Sequence, residues 1–145
     1  MAIYPREDPR TALPQLEKRI AELEEERADY VVEQGTNGNF TYRKWYSGIA
    51  ELWGTTDTAT YNLTSQYGGT YYGTYSLYIP TGIFASITSI SINRANGGNG
   101  TVWVSPYSEY SSIVSNGAIG CYISNGTTWS GASLAFSIQV KGRWK

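Results

Sequence analysis

Residues 133–141, with the sequence SLAFSIQVK, give the clearest strand signal in this chain of 145 residues. The large apolar residues occupy every second position, at Leu134, Phe136, Ile138 and Val140. Alternate positions share one face of a strand, whereas a helix would need apolar residues three or four positions apart. The stretch therefore predicts a strand with one buried face.

The same alternation occurs earlier in the chain. Ile119, Cys121 and Ile123 alternate with Ala118, Gly120 and Tyr122, which predicts a second half-buried strand with Cys121 as a small buried apolar residue. Residues 40–46 and 49–53 predict a hairpin around Ser47-Gly48.

A change of apolar phase and several Asn-Gly pairs add detail to the β prediction. The apolar phase changes between Ile87 and Ile90, which predicts a bulge near Thr88-Ser89. Asn-Gly pairs, which suit tight hairpin turns, stand at 37–38, 96–97, 99–100, 116–117 and 125–126. We predict a mainly β, antiparallel head over residues 34–145, with about six to eight strands in a β-sandwich or jelly-roll arrangement.

The first part of the chain has a different pattern. Residues 1–12 contain two prolines and predict an extended lead-in, whereas residues 13–33 predict a helix. Leu13, Leu16, Ile20 and Leu23 fall at heptad positions a and d. Such a stripe occurs in a helix packed on its own domain or in a coiled coil. We favour the coiled coil because the stripe is narrow and its flanks are highly charged.

Two features of the sequence give opposite indications of the number of helices in the coiled coil. Ile at position a with Leu at position d favours two strands. Arg19 and Glu24, however, lie where an arginine covers the seam and pairs with a glutamate of the neighbouring helix, as in a short trimer-specifying motif. We predict a parallel homotrimer, with trimerisation residues Leu13, Leu16, Arg19, Ile20, Leu23 and Glu24.

Composition excludes several function classes. The chain has no histidine and a single cysteine, so it lacks His-based catalytic constellations, an internal disulfide and a two-Cys zinc cluster, and we expect no metal and no cofactor. Residues 1–34 carry a net charge of −4 and residues 35–145 a net charge of +3. With nine charges in the second part, we expect neither nucleic-acid binding nor, without a long apolar run, membrane insertion. A secretion signal is not expected either.

Aromatic residues are the strongest indication of a binding surface. Tyrosine and tryptophan rings offer large contact areas to sugar faces, and the neighbouring Ser, Thr and Asn residues can bond sugar hydroxyls. The alternative is that these rings fill strand cores or a trimer interface, and for Trp45, Trp53 and Trp144 we prefer that structural role. We predict aromatic-rich loops carrying the candidate ligand-binding residues Tyr67, Tyr71, Tyr72, Trp103, Tyr107, Tyr110 and Trp129.

Catalysis is not expected. The head offers only Glu51, Asp57 and Glu109 as carboxylates. We expect Glu51 to pair with Arg43 or Lys44 across its hairpin, and Asp57 to lie in a turn. We therefore predict a protein without enzymatic activity.

Two parts of the chain resemble a known family. The segments DYVVEQGTNG (29–38), TYRKW (41–45), SGIAELWG (47–54) and ASLAFSIQVKGRW (132–144) are similar to C-terminal head domains of phage tail fibres from Gram-positive hosts. The resemblance covers about residues 29–54 and 118–144. It implies a homotrimeric head on a coiled-coil stalk at the tip of a virion fibre, attached to an upstream fibre or other virion protein and binding a cell-wall or capsular glycan of the host.

A second function remains open at this stage. A trimer that caps a fibre or decorates a capsid, with no ligand of its own, would also have a stalk and a polar head of low charge.

Overall fold

The computed structural model describes residues 9–26, 29–96 and 100–145. Two compact units divide the chain, one up to Tyr30 and one from Val31 to Lys145. The first contains helix α1 (Pro9–Glu26). The second contains β1 (Val31–Asn37), β2 (Phe40–Trp45), β3 (Ile49–Thr55), β4 (Ala59–Leu63), β5 (Ser65–Tyr67), β6 (Thr70–Tyr78), β7 (Ser86–Arg94), β8 (Trp103–Pro106), α2 (Tyr110–Asn116), β9 (Ala118–Asn125), β10 (Trp129–Leu134) and β11 (Phe136–Arg143).

Helix α1 differs from its predicted bounds at both ends. It begins at Pro9 instead of Leu13, because proline suits the first turn, where its missing N–H has no acceptor to lose. It is described as far as Glu26, whereas the prediction extended it to Glu33. Val31 begins β1 instead, as its β-branched side chain favours a strand. Residues 1–8 of the predicted lead-in, and the side chain of Glu24, lie outside the described part.

The second unit is mainly β and antiparallel, as predicted. Its sheets have the orders β1-β2-β3-β11-β7, β5-β6-β9-β8 and β10-β4. The structure describes eleven strands against the predicted six to eight, and part of this excess arises because two long extended segments each serve two sheets. The first segment changes sheet at Thr64, between β4 and β5, and the second at Ala135, between β10 and β11.

The alternation quoted at the outset builds the core. Phe136, Ile138 and Val140 of β11 are buried, as is Leu134, which belongs to β10. Ala135 is buried too, although alternation places it on the polar face, because the chain passes between two sheets there. The core therefore joins residues of all three sheets.

Strand β9 supplies the other half of the predicted alternation. Ile119, Cys121 and Ile123 are completely buried. Burial raises the pKa of the Cys121 thiol to about 11, because the thiolate would lose its hydration. The prediction of a small buried apolar residue at this position is confirmed.

Turn predictions succeed at the first hairpins and fail at Asn116-Gly117 and at Asn125-Gly126, which lies between β9 and β10, two strands of different sheets. Gly38 and Gly48 have φ angles of +60° and +101° in the β1-β2 and β2-β3 turns. Gly117, with φ of +69°, instead ends helix α2, so Asn116-Gly117 is not a hairpin turn. This short helix escaped prediction because only Ile113 among its residues is buried, which leaves no apolar stripe to detect. Residues 97–99 lie outside the described part, so neither the turn at 96–97 nor that at 99–100 can be scored.

The predicted bulge is confirmed. Lys141 pairs with Ser89 and Gly142 with Ile87, so Thr88 has no partner in the β7-β11 ladder. The hydroxyl of Thr88 donates a hydrogen bond to the Lys141 carbonyl at 3.0 Å. The extra residue lets both Ile87 and Ile90 contribute to the core side of the sheet.

Candidate binding surface

The outward-facing side of the β5-β6-β9-β8 sheet is rich in aromatic and hydroxyl groups. Ile119, Cys121 and Ile123 of β9 point into the core, so Tyr122 and Ser124 point outward. Directly opposed residues of antiparallel strands share a face, and the register extends this one to all four strands. We call it the aromatic face, with the side chains of Ser65, Tyr67, Thr70, Tyr72, Thr74, Ser76, Tyr78, Trp103, Ser105, Tyr107, Tyr122 and Ser124.

Tyr122 is the centre of this surface. Its ring meets the edge of Tyr72 from β6, with ring centres 5.7 Å apart and planes at 80°. On the other side it contacts Tyr107, with centres 4.9 Å apart and planes at 47°. Edge-to-face contacts of this kind add stabilisation beyond burial alone. The three rings therefore form a continuous row across the sheet.

Backbone contacts fix the position of Tyr107. Its N–H donates to the carbonyl of Gly120 at 2.9 Å, and the Gly120 N–H donates to the hydroxyl of Ser108 at 2.8 Å. The Tyr107 ring lies directly over Gly120, where an added Cβ would stand only 2.7 Å from ring carbons. A glycine is therefore required beneath this ring for the row to be complete.

A groove opens beside the row. It is a cavity of about 340 Å³ lined by Tyr67, Thr70, Tyr72, Tyr122 and Ser124. Tyr67 is 80% exposed and stands at the end of β5, next to the Gly68-Gly69 turn. The hydroxyl of Thr70 donates to the Tyr67 carbonyl at 2.9 Å, which braces this turn. The groove thus has an exposed ring at its rim and two ring-lined walls.

The aromatic face gathers four of the seven candidate residues, namely Tyr67, Tyr72, Trp103 and Tyr107. Three of the four lie on strands, so the prediction of aromatic-rich loops is wrong for most of them. The sequence shows many turn-forming residues in this region, but pairing with β9 holds the chain extended.

The other three candidates are placed elsewhere. Tyr71 lies opposite the buried Asn125, hence on the inner side of the sheet, because consecutive strand residues face opposite ways. Trp129 belongs to β10, with the guanidinium of Arg94 5.4 Å from its ring centre. Tyr110 begins helix α2 and makes no ring contact with the row of Tyr72, Tyr122 and Tyr107.

Sequence reasoning missed the central residue. The alternation of β9 already put Tyr122 opposite Ile119 and Ile123, which was a signal of outward orientation. The prediction instead weighted tyrosines that crowd together along the chain, and Tyr122 has no aromatic neighbour in sequence. Register across strands, which the sequence does not reveal, brings it beside Tyr72 and Tyr107.

Two other tyrosines of the crowded segment have structural roles. Tyr61 is buried, and its ring packs edge-on against Tyr75 with centres 4.7 Å apart. The Tyr75 hydroxyl accepts a hydrogen bond from the Asn62 N–H at 2.7 Å. The core role considered for individual tyrosines therefore holds at these two positions.

The predicted structural role of the tryptophans is supported at Trp144, which packs against the core, and stays a prediction at Trp45 and Trp53. The Trp144 indole N–H donates to the Trp45 carbonyl at 2.8 Å, which ties the end of the chain to the β2-β3 hairpin. Trp53 has the Arg43 guanidinium 5.2 Å from its ring centre.

The carboxylates of the head are dispersed. Glu51 does not form the predicted ion pair, because Lys44 pairs with Glu33 at 3.2 Å and the Arg43 Nε donates to Gln34. Asp57 lies between β3 and β4, as predicted for a turn, and accepts a hydrogen bond from Asn39 at 2.9 Å. Within residues 9–26, 29–96 and 100–145, no group of three or more Cys, Asp or Glu residues is placed to hold a metal ion. The absence of enzymatic activity stays a prediction.

No helix in the described ranges is both long enough and apolar enough to cross a membrane.

Comparisons with protein-family models, with curated proteins and with solved structures found no match. The aromatic face is accordingly interpreted from its own chemistry.

Proposed function

We propose that this chain is the host-binding tip of a phage tail fibre, located on the virion, with the aromatic face as its glycan-binding surface. The observation that carries the proposal is the row of Tyr72, Tyr122 and Tyr107 beside an open groove. Rings held in place by strand register present apolar surface to a ligand without having to be ordered on binding. Surrounding Ser and Thr hydroxyls supply donors and acceptors for sugar hydroxyls.

The resemblance to fibre heads supports the same proposal from the sequence. The quoted segments map onto β1, β2, β3, β10 and β11, outside the sheet that bears the aromatic face, and the full extent of the resemblance over residues 118–144 also includes β9 of that sheet. In our proposal the five-stranded and four-stranded sheets are the two layers of a sandwich-type head. In that arrangement the shared segments form most of the scaffold, and residues 55–117, which the resemblance does not cover, provide most of the recognition surface.

Helix α1 supplies the proposed trimerisation. Leu13, Leu16, Ile20 and Leu23 are each between 44% and 60% exposed in the single chain. An isolated helix of 18 residues is marginal in water, so covering this stripe by two further copies would stabilise it. Three heads on one stalk would multiply weak individual contacts on a repetitive cell surface.

Binding of the whole chain to bacterial cells tests the proposal. Fluorescently labelled protein is incubated with a panel of Gram-positive strains and with their purified wall and capsular glycans. We expect selective binding to some strains, and loss of that binding in Tyr122→Ala. Tyr46→Ala, which removes a tyrosine that is 54% exposed outside the aromatic face, is the matched control and is expected to bind normally.

The same assay separates this function from a structural cap. A cap also needs the trimer, so the exposed stripe of α1 fits both. A cap without a ligand would leave every strain unbound, and adding the head would not compete with phage adsorption. That result would refute glycan recognition and favour the capping function.

A further inference from the structure

We infer that the aromatic face recognises an uncharged oligosaccharide and discriminates against phosphate- or carboxylate-bearing polymers. The inference rests on the proposed function and specifies its ligand class. It begins from one property of the face, which is that all twelve of its side chains are Tyr, Trp, Ser or Thr. No lysine or arginine is among them.

The basic residues of the second unit lie on other elements. Arg43 and Lys44 are on β2, Lys141 and Arg143 are on β11, and Lys145 follows β11. These strands belong to the five-stranded sheet. Arg94 ends β7 in that same sheet, where its guanidinium lies over Trp129. The positive charge of the head is thus concentrated on strands that do not form the aromatic face.

The margins of the face carry carboxylates. Asp57 shares a second groove, of about 350 Å³, with Ser76 and Tyr78. Glu109 is exposed and follows Tyr107 by two residues. Anionic ligands are ordinarily held by charge-assisted bonds from Arg or Lys, and an anion placed here would be desolvated without such a partner. Carboxylates at the margin add repulsion, so an acidic polymer is disfavoured twice.

A neutral sugar fits what the face does offer. One side of a pyranose is rich in C–H groups and can lie on a ring, while its hydroxyls reach Thr70 and Ser124 at the groove wall. The groove is near the small end of ordinary ligand sites. Because Tyr107 continues the surface from Tyr122 beyond the groove, the site accommodates more than one sugar unit.

The test uses the wall polysaccharide of a strain that the intact chain binds, separated by anion exchange into neutral and acidic fractions. We expect binding to the neutral fraction, with an affinity that changes less than about threefold between about 0.05 and about 0.5 M NaCl, since no ion pair is screened. Tyr122→Ala should weaken this binding at least about tenfold, whereas Tyr122→Phe, which keeps the ring, should retain most of it. Circular dichroism melting of both variants shows that they fold.

A gain-of-function variant tests whether the lack of a cation on the aromatic face excludes acidic ligands. Thr74→Lys places a cation on the aromatic face opposite Tyr122. We expect it to acquire salt-sensitive binding to the acidic fraction, and Thr74→Gln, which lacks the charge, to leave that fraction unbound.

The outcomes separate this inference from the function on which it rests. Salt-sensitive binding of the native chain to the acidic fraction alone overturns the neutral-ligand inference but leaves glycan recognition standing. Binding to intact cells but to neither glycan fraction overturns the proposed glycan recognition and the inference with it. Neutral binding that is lost in Lys141→Ala but kept in Tyr122→Ala would place the site on the five-stranded sheet and overturn the inference.

Discussion

The two units of this chain differ in the burial of their large apolar residues. The β unit contains a connected core of nineteen buried residues drawn from all three sheets and helix α2. Helix α1 has four large apolar side chains, and every one of them is exposed. A unit with its own core can fold as a single copy, whereas the exposed stripe of α1 is what the proposed trimer would cover. Under that proposal, folding and assembly would be separable in this protein.

The most disruptive test of this separation is Ile20→Asp. In a trimer the substitution would bury three carboxylates in the seam, each at a cost of about several kcal/mol. We expect the trimer mass measured by light scattering to fall to that of a monomer, while the near-ultraviolet spectrum of the β unit is kept. Lys18→Asp, on the outer side of the predicted coiled coil, is the control and should remain trimeric. If the Ile20→Asp variant remained trimeric, the predicted position of Ile20 in the coiled-coil interface would be wrong. If the native chain were monomeric, the proposed trimer would be refuted.

A core substitution should show the reverse behaviour. Phe136 is completely buried and packs edge-on against Tyr61, with ring centres 5.5 Å apart. Phe136→Ala leaves a cavity and should lower the free energy of unfolding by about 3 to 5 kcal/mol. Urea denaturation measures this loss, with the exposed Gln139→Ala on the same strand expected to change it by less than about 0.5 kcal/mol. Equal losses in both variants would contradict the central position of Phe136.

The buried thiol of Cys121 makes the stability of the β unit depend on pH. The pKa of Cys121 is about 11 in the folded chain against an ordinary value of 9.0. The unfolded chain therefore releases its proton first, so stability is complete below pH 9 and declines as pH rises towards 11. We expect the decline to include about 2 to 3 kcal/mol from this residue.

Cys121→Ala isolates that contribution. The burial of Tyr61 and its neighbour Tyr75 also raise the pKa of Tyr61, and both causes remain in the variant, whereas the contribution of the Cys121 charge is lost. The difference between the two curves therefore reports the thiol together with its interaction with Tyr61. Identical slopes for the variant and the native chain between pH 9 and pH 11 would contradict the assignment.

The smallest effect is expected at the surface of the β unit. Lys44 and Glu33 form an ion pair of 3.2 Å across β1 and β2, with half of the Glu33 side chain exposed. Because water screens such a pair, Lys44→Met should cost only about 0.2 to 1 kcal/mol in thermal or urea unfolding. Assembly should be unaffected, since the pair lies outside α1. A change of oligomeric mass in this variant would show that β1 and β2 contribute to association.

The regular parts of the fold were predictable because alternation reports burial directly. β9 and β11 follow that rule, and the change of phase between Ile87 and Ile90 was enough to locate the bulge at Thr88. Helix α2 was not predictable, since only Ile113 marks its buried side. Nor was the change of sheet at Ala135, because a strand that leaves one sheet for another keeps the same local pattern.

The sequence predicted that the candidate site is rich in tyrosine and tryptophan, but not which of these residues form it. Tyr67 and Tyr72 were identified from a crowded segment, yet Tyr71 between them faces inward because of the strand period of two. Tyr122 was missed because its neighbours are joined to it by register and not by sequence. Physical proximity on a sheet depends on pairing between distant strands, and a single sequence contains little information on that pairing.

The alternation along β9 also has an evolutionary consequence. Ile119, Cys121 and Ile123 hold the core together, whereas Tyr122 and Ser124, on the same strand, contribute to the outer surface. Mutations at the outer positions change the surface without removing packing from the core, so they escape most of the purifying selection for stability. Under the proposed function, every second residue of this sheet would then be free to diversify with the host surface while the scaffold stayed constant.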